Sequence, residues 1–267
     1  MLVLGGLLAL AACSSASSAV TSNNPVTITV PTPTTAGSSG QPTPQIGTVL
    51  DLIIPAGVQS MSLHDQDGRV VTLASLKGKT VVVSPNLTLC QEFCPLISSN
   101  LRAVNQAVNA SGLQDKVVVL EVTVDPDRDD VKHLKAYQSL FGAEPNWKFL
   151  GGTPTQIAAF WGAFHLSYNK TTNATGTPHP RDWLTGAPVT YDVDHSNIVY
   201  VLGPDGHIKW LVSANPYVNG APIPKTLQKF LNAQGISNRD NLPNPAWTAV
   251  DVEQAVAYAS GSPVHKS

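Results

Sequence analysis

The chain has 267 residues, 42% of them hydrophobic and 13% charged, and its 16 basic and 18 acidic side chains leave a net charge of −2. So weak a field offers no basic surface to a phosphate backbone, which argues against nucleic acid as a partner. The first 45 residues hold too few periodic apolar side chains to build a core, leaving about 200 residues for folding, enough for a sizeable one.

Residues 1–12 are an apolar stretch too short to span a bilayer as a helix, and they end in small residues before Cys13. Leu10-Ala11-Ala12-Cys13 resembles the lipobox of bacterial lipoproteins, which implies a signal peptide over 1–12 and a lipid on Cys13 after cleavage. No Lys or Arg precedes the apolar run, so a true start a few residues upstream is expected. Residues 13–45 read as a disordered tether of Ser, Thr, Pro and Gly, with Pro25, Pro31, Pro33, Pro42 and Pro44 breaking any helix. Within it Val26–Val30 alternates, but between prolines it reads as extended chain. Export and a tether put the folded part outside the cytoplasm, anchored to the bacterial membrane, where a thiol pair is oxidised unless a reductant or a metal protects it.

From Ile46 the pattern is globular, and a folded domain is expected over 46–245. Met61 to Leu73 reads as two short strands about Asp67-Gly68, and Lys79 to Val83 as a strand buried on both faces. Apolar residues at 97, 101, 104 and 108 keep helical spacing, and Val117 to Val124 is a second buried strand. Strand, cysteine loop, helix and strand make a βαβ unit with its chemistry at the end of the first strand. Helices are expected over Val131 to Phe141, Thr153 to Phe164 and Ile223 to Leu231, with a short strand at Trp147 to Leu150. The polar insert from Ser167 to Asp192 reads as a loop around Trp183 that offers a partner surface. Asn197 to Leu202 and Ile208 to Val212 flank Gly203-Pro204-Asp205-Gly206 as a hairpin. Residues 246–267 read as a C-terminal extension and tail, with an amphipathic helix over Ala246 to Ser260 packing back on the domain. This order predicts an α/β, thioredoxin-like fold: a central mixed β-sheet flanked by helices, with an N-terminal hairpin and a late β-hairpin insert.

The chemistry centres on Cys90-Gln91-Glu92-Phe93-Cys94-Pro95, two of the chain's three cysteines. Thiols at this spacing share one turn, so they close a disulfide or grip a soft metal together. A structural disulfide would close so short a loop that it constrains the unfolded chain little. Zinc finds only two cysteines here and no paired histidine spacing. With Pro95 opening the helix, the thiols sit at the positive end of its dipole, which lowers their pKa.

In order along the chain, Cys90-x-x-x-Cys94-Pro95, Val124-Asp125-Pro126-Asp127-Arg128-Asp129, Trp147-Lys148-Phe149-Leu150-Gly151-Gly152-Thr153-Pro154 and Val193-Asp194-His195-Ser196 resemble the Sco/SenC family of copper-binding proteins. The resemblance spans roughly Ser62 to Leu231. It implies a membrane-anchored thioredoxin-like domain that holds copper on Cys90, Cys94 and His195 and helps assemble the binuclear copper centre of cytochrome c oxidase. Soft Cu(I) suits two thiolates and an imidazole, and a low coordination number leaves a side open for handover to the copper-site subunit of the oxidase. A thiol reductant or another copper carrier is a further expected partner. Asp194 is a candidate to orient the His195 ring, and Asp125 a second-tier site residue at the same sheet edge, with pairing to Arg128 as its ordinary role. The alternatives are a thiol:disulfide reductase using Cys90 and Cys94 as a redox pair, which needs no histidine, and a copper or redox sensor. Two departures stand out: Pro85 is expected to end the first strand early, and Gln91-Glu92-Phe93 lacks the family's proline while Glu92 keeps an acid.

Overall fold

The computed structural model describes residues 40–142, 144–172 and 179–264. Cys13, the apolar leader, most of the tether and His265 lie outside the described residues. In chain order the elements begin with β1 (Thr48–Leu52), α1 (Ala56–Gln59), β2 (Leu63–Asp65), β3 (Val70–Val71), β4 (Thr80–Asn86), α2 (Cys94–Ala110) and β5 (Val117–Thr123). There follow α3 (Val131–Phe141), β6 (Trp147–Gly151), α4 (Pro154–Ala163), β7 (Tyr168–Thr172), β8 (Tyr191–His195), β9 (Ile198–Leu202) and β10 (Ile208–Ser213). The last are β11 (Asn215–Pro216), α5 (Lys225–Phe230), α6 (Ala233–Asp240), β12 (Ala246–Trp247) and α7 (Ala249–Ser260).

Among the described residues the main sheet runs β1-β10-β9-β4-β5-β6-β2-β3. Its centre follows from the two apolar runs: β4 and β5 are buried at every residue and pair in parallel from Thr80 with Val117 to Asn86 with Thr123. β6 continues the parallel set, whereas β9 runs antiparallel to β4 and β10 antiparallel to β9. A βαβ half beside a β-hairpin half, joined through β4, is the thioredoxin-like arrangement predicted from the element order. Alternate side chains of the central strands enter two cores. Val82, Val119 and Val201 pack with α2, α3 and α7, and Val81, Val83, Leu120 and Leu202 pack with α4.

Helix α2 buries Ile97, Leu101, Val104 and Val108, the four positions picked out by periodicity. It starts earlier than that stripe, at Cys94, with Pro95 as its second residue, where a missing N–H costs nothing. Thr153 and Gln156 form a reciprocal cap ahead of α4. The Asp-Gly turn joins β2 to β3 with Gly68 at φ 74°, and the Asp65 carboxylate accepts from the backbone of Asp67 and Arg69.

Three expectations change. Strand β4 does not stop before Pro85; it continues through Pro85, opposite Val122, to Asn86. The Asn86 carbonyl accepts from Val124 N, so Pro85 faces the other side, where pairing with β9 has already ended at Val83. The lost donor therefore leaves nothing unpaired. Second, the ends of the polar insert are not loop: β7 and β8 pair antiparallel from Tyr168 with His195 to Thr172 with Tyr191. Third, α5 is shorter than the helix expected from Ile223, because Pro224 fixes its start.

Candidate metal centre

Beyond β4 the chain turns through buried Leu87, Thr88 and Leu89 into the cysteine loop at the carboxyl end of the parallel strands. Buried Asp129 anchors this turn by accepting from the Thr88 hydroxyl and, at 2.6 Å, from the Thr123 hydroxyl at the end of β5. From the insert, Trp183 Nε1 donates to the Thr88 carbonyl at 2.7 Å. Cys90 N closes on Leu87 O, and Cys94 N, the first amide of α2, points at Cys90 Sγ at 3.4 Å. Both cysteines are buried and unbridged.

His195 arrives from the end of β8. Its Nε2 lies 3.4 Å from Cys94 Sγ, and its Nδ1 lies 3.2 Å from Ser196 O. The ligand atoms of Cys90, Cys94 and His195 all fall within 4.8 Å of one another. A donor set of two sulfurs and one imidazole nitrogen suits a soft ion such as copper. The other such group among the described residues, Asp51, Asp205 and His207, is of a different kind. There Lys209 Nζ sits 2.7 Å from both carboxylates, so an ammonium already supplies the positive charge.

The two thiols are driven apart in acidity. The hydrogen bond from the Cys94 side chain holds the Cys90 pKa well below the usual thiol range, with help from His195 and against the effect of burial. Burial and the neighbouring Cys90 sulfur push Cys94 well above that range. Burial alone would depress His195, but the hydrogen bond and charge of Cys90 outweigh it and raise its pKa. Of the two sulfurs, Cys90 is thus the more acidic. Two sulfurs of unlike acidity and one ring nitrogen converge where a soft cation can take the place of protons.

The second-tier residues sit elsewhere. Asp194 is exposed, since side chains alternate along β8, and the Nδ1 partner of His195 is the Ser196 carbonyl instead. Asp125 is fully buried and pairs with Arg128 Nε and the Tyr191 hydroxyl, so it braces the strand that carries His195 rather than joining the ligand group. His133 bridges Asp130 and Asp182, and His207 pairs with Asp51. Sequence reasoning missed Asp129 and the Trp183 bond as anchors of the thiol turn. A lone tryptophan in a polar insert was the available signal for the second.

The family model described as SCO1/SenC matches residues 56–231. The chain belongs to the SCO1/SenC family. A bovine protein named "Protein SCO2 homolog, mitochondrial" is 31% identical over 150 residues, covering 56% of this chain and 51% of its own length. The "SCO1 protein homolog" of Bacillus subtilis is 27% identical over 154 residues, covering 57% of this chain and 70% of its own. A solved structure of Arabidopsis thaliana ScoI with copper bound has 26% identity and a TM-score of 0.47, covering 63% of this chain and 88% of that one. The chain thus spans about half the length of the bovine relative it matches. Within this SCO1/SenC chain the family match takes in all three converging residues and stops just short of α6.

Proposed function

We propose that the protein is a copper metallochaperone that carries copper on Cys90, Cys94 and His195 and delivers it to the copper-site subunit of cytochrome c oxidase outside the cytoplasm. The observation that carries this reading is the approach of His195 Nε2 to 3.4 Å from Cys94 Sγ across 101 residues of chain. A redox pair has no need of an imidazole held there, whereas a soft metal site does. Family membership supports copper as the cargo and oxidase assembly as the setting. Loading requires both sulfurs reduced, so a thiol reductant and a copper donor are the other partners of this reading. The domain plan that goes with it is a leader over 1–12, a lipid on Cys13 with a tether to 45, and a folded domain over 46–245 to whose core the C-terminal extension over 246–267 contributes. No described helix is long and apolar enough to cross a membrane. In this reading the lipid supplies the attachment.

The test is titration of the reduced protein with Cu(I) without oxygen, followed by X-ray absorption at the copper edge. We expect one copper in a sulfur-rich shell, loss of the nitrogen scatterer in His195→Ala, and loss of most binding in Cys90→Ser and Cys94→Ser. Tight copper retained by all three variants would overturn the assignment.

A further inference from the structure

Three residues separate Cys90 from Cys94, and their backbone decides how far apart the sulfurs lie and where they point. Two of the three are held by a segment far along the chain. The Gln91 carbonyl accepts from Asn232 N at 3.1 Å, and the Gln91 side-chain amide donates to Phe230 O at 3.1 Å. The Asn232 side-chain amide donates to Glu92 Oε1 at 3.0 Å. Its other atom, Oδ1, accepts from Gly235 N at 2.8 Å as the N-cap of α6. One side chain thus joins a helix cap to the thiol loop. A Cβ on Gly235 would lie 2.1 Å from the Gln91 carbonyl oxygen, a distance real contacts do not reach, so only glycine lets α6 lie this close. Phe230, at the end of α5, packs in the same buried cluster as Cys90 and Cys94. Asn232 and Gly235 both lie beyond the family match at 56–231.

We propose that the junction of α5 and α6 is a positioning clamp for the two cysteines, with Asn232 and Gly235 as its positioning residues. Three hydrogen bonds and one close approach hold Gln91 and Glu92 so that both sulfurs stay within reach of His195 before any ligand arrives. A free loop would have to be ordered on binding; a clamped loop is ordered by folding. The clamp concerns the loop geometry itself, and only its effect on copper rests on the function proposed above.

The experiment uses the whole chain and two readouts: Cu(I) affinity by competition, and hydrogen exchange of the Asn232 backbone amide, which donates to the Gln91 carbonyl, in protein without added copper. Asn232→Asp keeps the cap oxygen for Gly235 but loses the donor to Glu92 and sets a second carboxylate against it. We expect copper affinity to fall about tenfold or more, in the range seen for residues that orient metal ligands. The Asn232 amide exchanges faster in the variant, because the Gln91 carbonyl no longer stays on it. Adding Glu92→Gln reverses donor and acceptor, so the double variant recovers both readouts, and Glu92→Gln by itself changes neither. Gly235→Ala displaces the Gln91 carbonyl and shows the same losses without rescue by Glu92→Gln. Wild-type readouts in folded Asn232→Asp and Gly235→Ala would overturn the clamp, as would a folded double variant that stays impaired. Should Asn232→Asp fail to fold, the double variant and Gly235→Ala decide alone. Because exchange is read without copper, a chain that binds no copper still reports on the clamp: faster exchange with rescue upholds it while the copper reading fails.

Discussion

Two carboxylates near the thiol loop are sealed from water. Glu121 in β5 accepts from Asn86 Nδ2 at 2.7 Å, the Ser98 hydroxyl at 2.6 Å and Trp147 Nε1 at 3.0 Å, and Asp129 accepts from Thr88 and Thr123. Burial outweighs these donors and raises each to about 7, from ordinary values of 4.5 and 3.8. The sign of the pH effect follows. Below their unfolded values both groups are protonated in either state, and the stability they allow is fully present. As pH rises towards 7 the unfolded chain releases protons that the folded chain retains, so stability falls and then levels off. Raised His133 acts in the same direction, while carboxylates with lowered pKa, such as Asp51 and Asp205, matter only under more acidic conditions. Cys90, held below the thiol range, acts in the opposite direction, so substitution isolates the carboxylates: Glu121→Gln should take away a fall in melting temperature between about pH 4 and pH 7. A Glu121→Gln profile that runs parallel to that of the unchanged protein across this window would contradict the assignment. Nothing in the sequence announced these groups: Glu121 interrupts a valine run that reads as a buried strand, but its three donors come from three other elements.

At the scale of elements, the placement of His195 depends on how β8 is tied down. Arg128 pairs with buried Asp125, donates to Tyr191 O at 2.7 Å and stands 3.6 Å over the Tyr191 ring, while the Tyr191 hydroxyl donates to Asp125 at 2.8 Å. The turn after β5 and the first residue of β8 thus form one ionic and aromatic joint. Removing Arg128 strands a carboxylate that water does not reach, so Arg128→Ala should cost about 3–5 kcal/mol, measured by urea unfolding. Arg128→Lys should recover only part of it, since an ammonium cannot serve the carboxylate, the carbonyl and the ring in one plane. A cost within the range of an exposed ion pair would show that the joint is open to solvent. The same element marks the limit of what sequence patterns reveal. β4, β5, β9 and β10 were legible because sustained β-branched or apolar runs have one stable use, burial in a sheet. β7 and β8 were not, because Tyr168-Asn169-Lys170-Thr171-Thr172 has no apolar face, and its pairing is set by tertiary contacts. Pro85 misled for a related reason: whether a missing donor matters depends on which neighbour that side of the strand faces.

For the whole molecule, the approach of His195 to the cysteines was legible only through family resemblance, since no local pattern relates residues 101 apart. Topology supplies the physical reason: β4 and β9 are neighbours, β8 leads directly into β9, and the ends of both bring their flanking residues to one edge of the sheet. That adjacency depends on a core to which the end of the chain contributes. Helix α7 buries Val252, Ala255 and Val256 completely, in the same cluster as Val82 of β4, Val199 and Val201 of β9 and Leu101 of α2. Trp247, just before it, is also fully buried and donates from Nε1 to Ala214 O at 3.0 Å. A chain ending at Thr248 would expose the apolar faces of the two strands that set the cysteines beside the histidine. It should lose cooperative thermal unfolding, whereas Val256→Ala, which leaves only a small cavity, should cost on the order of 2 kcal/mol. Should the shortened chain melt cooperatively near the intact protein's temperature, the helix would be an appendage and β4 and β9 would owe their adjacency to the sheet alone.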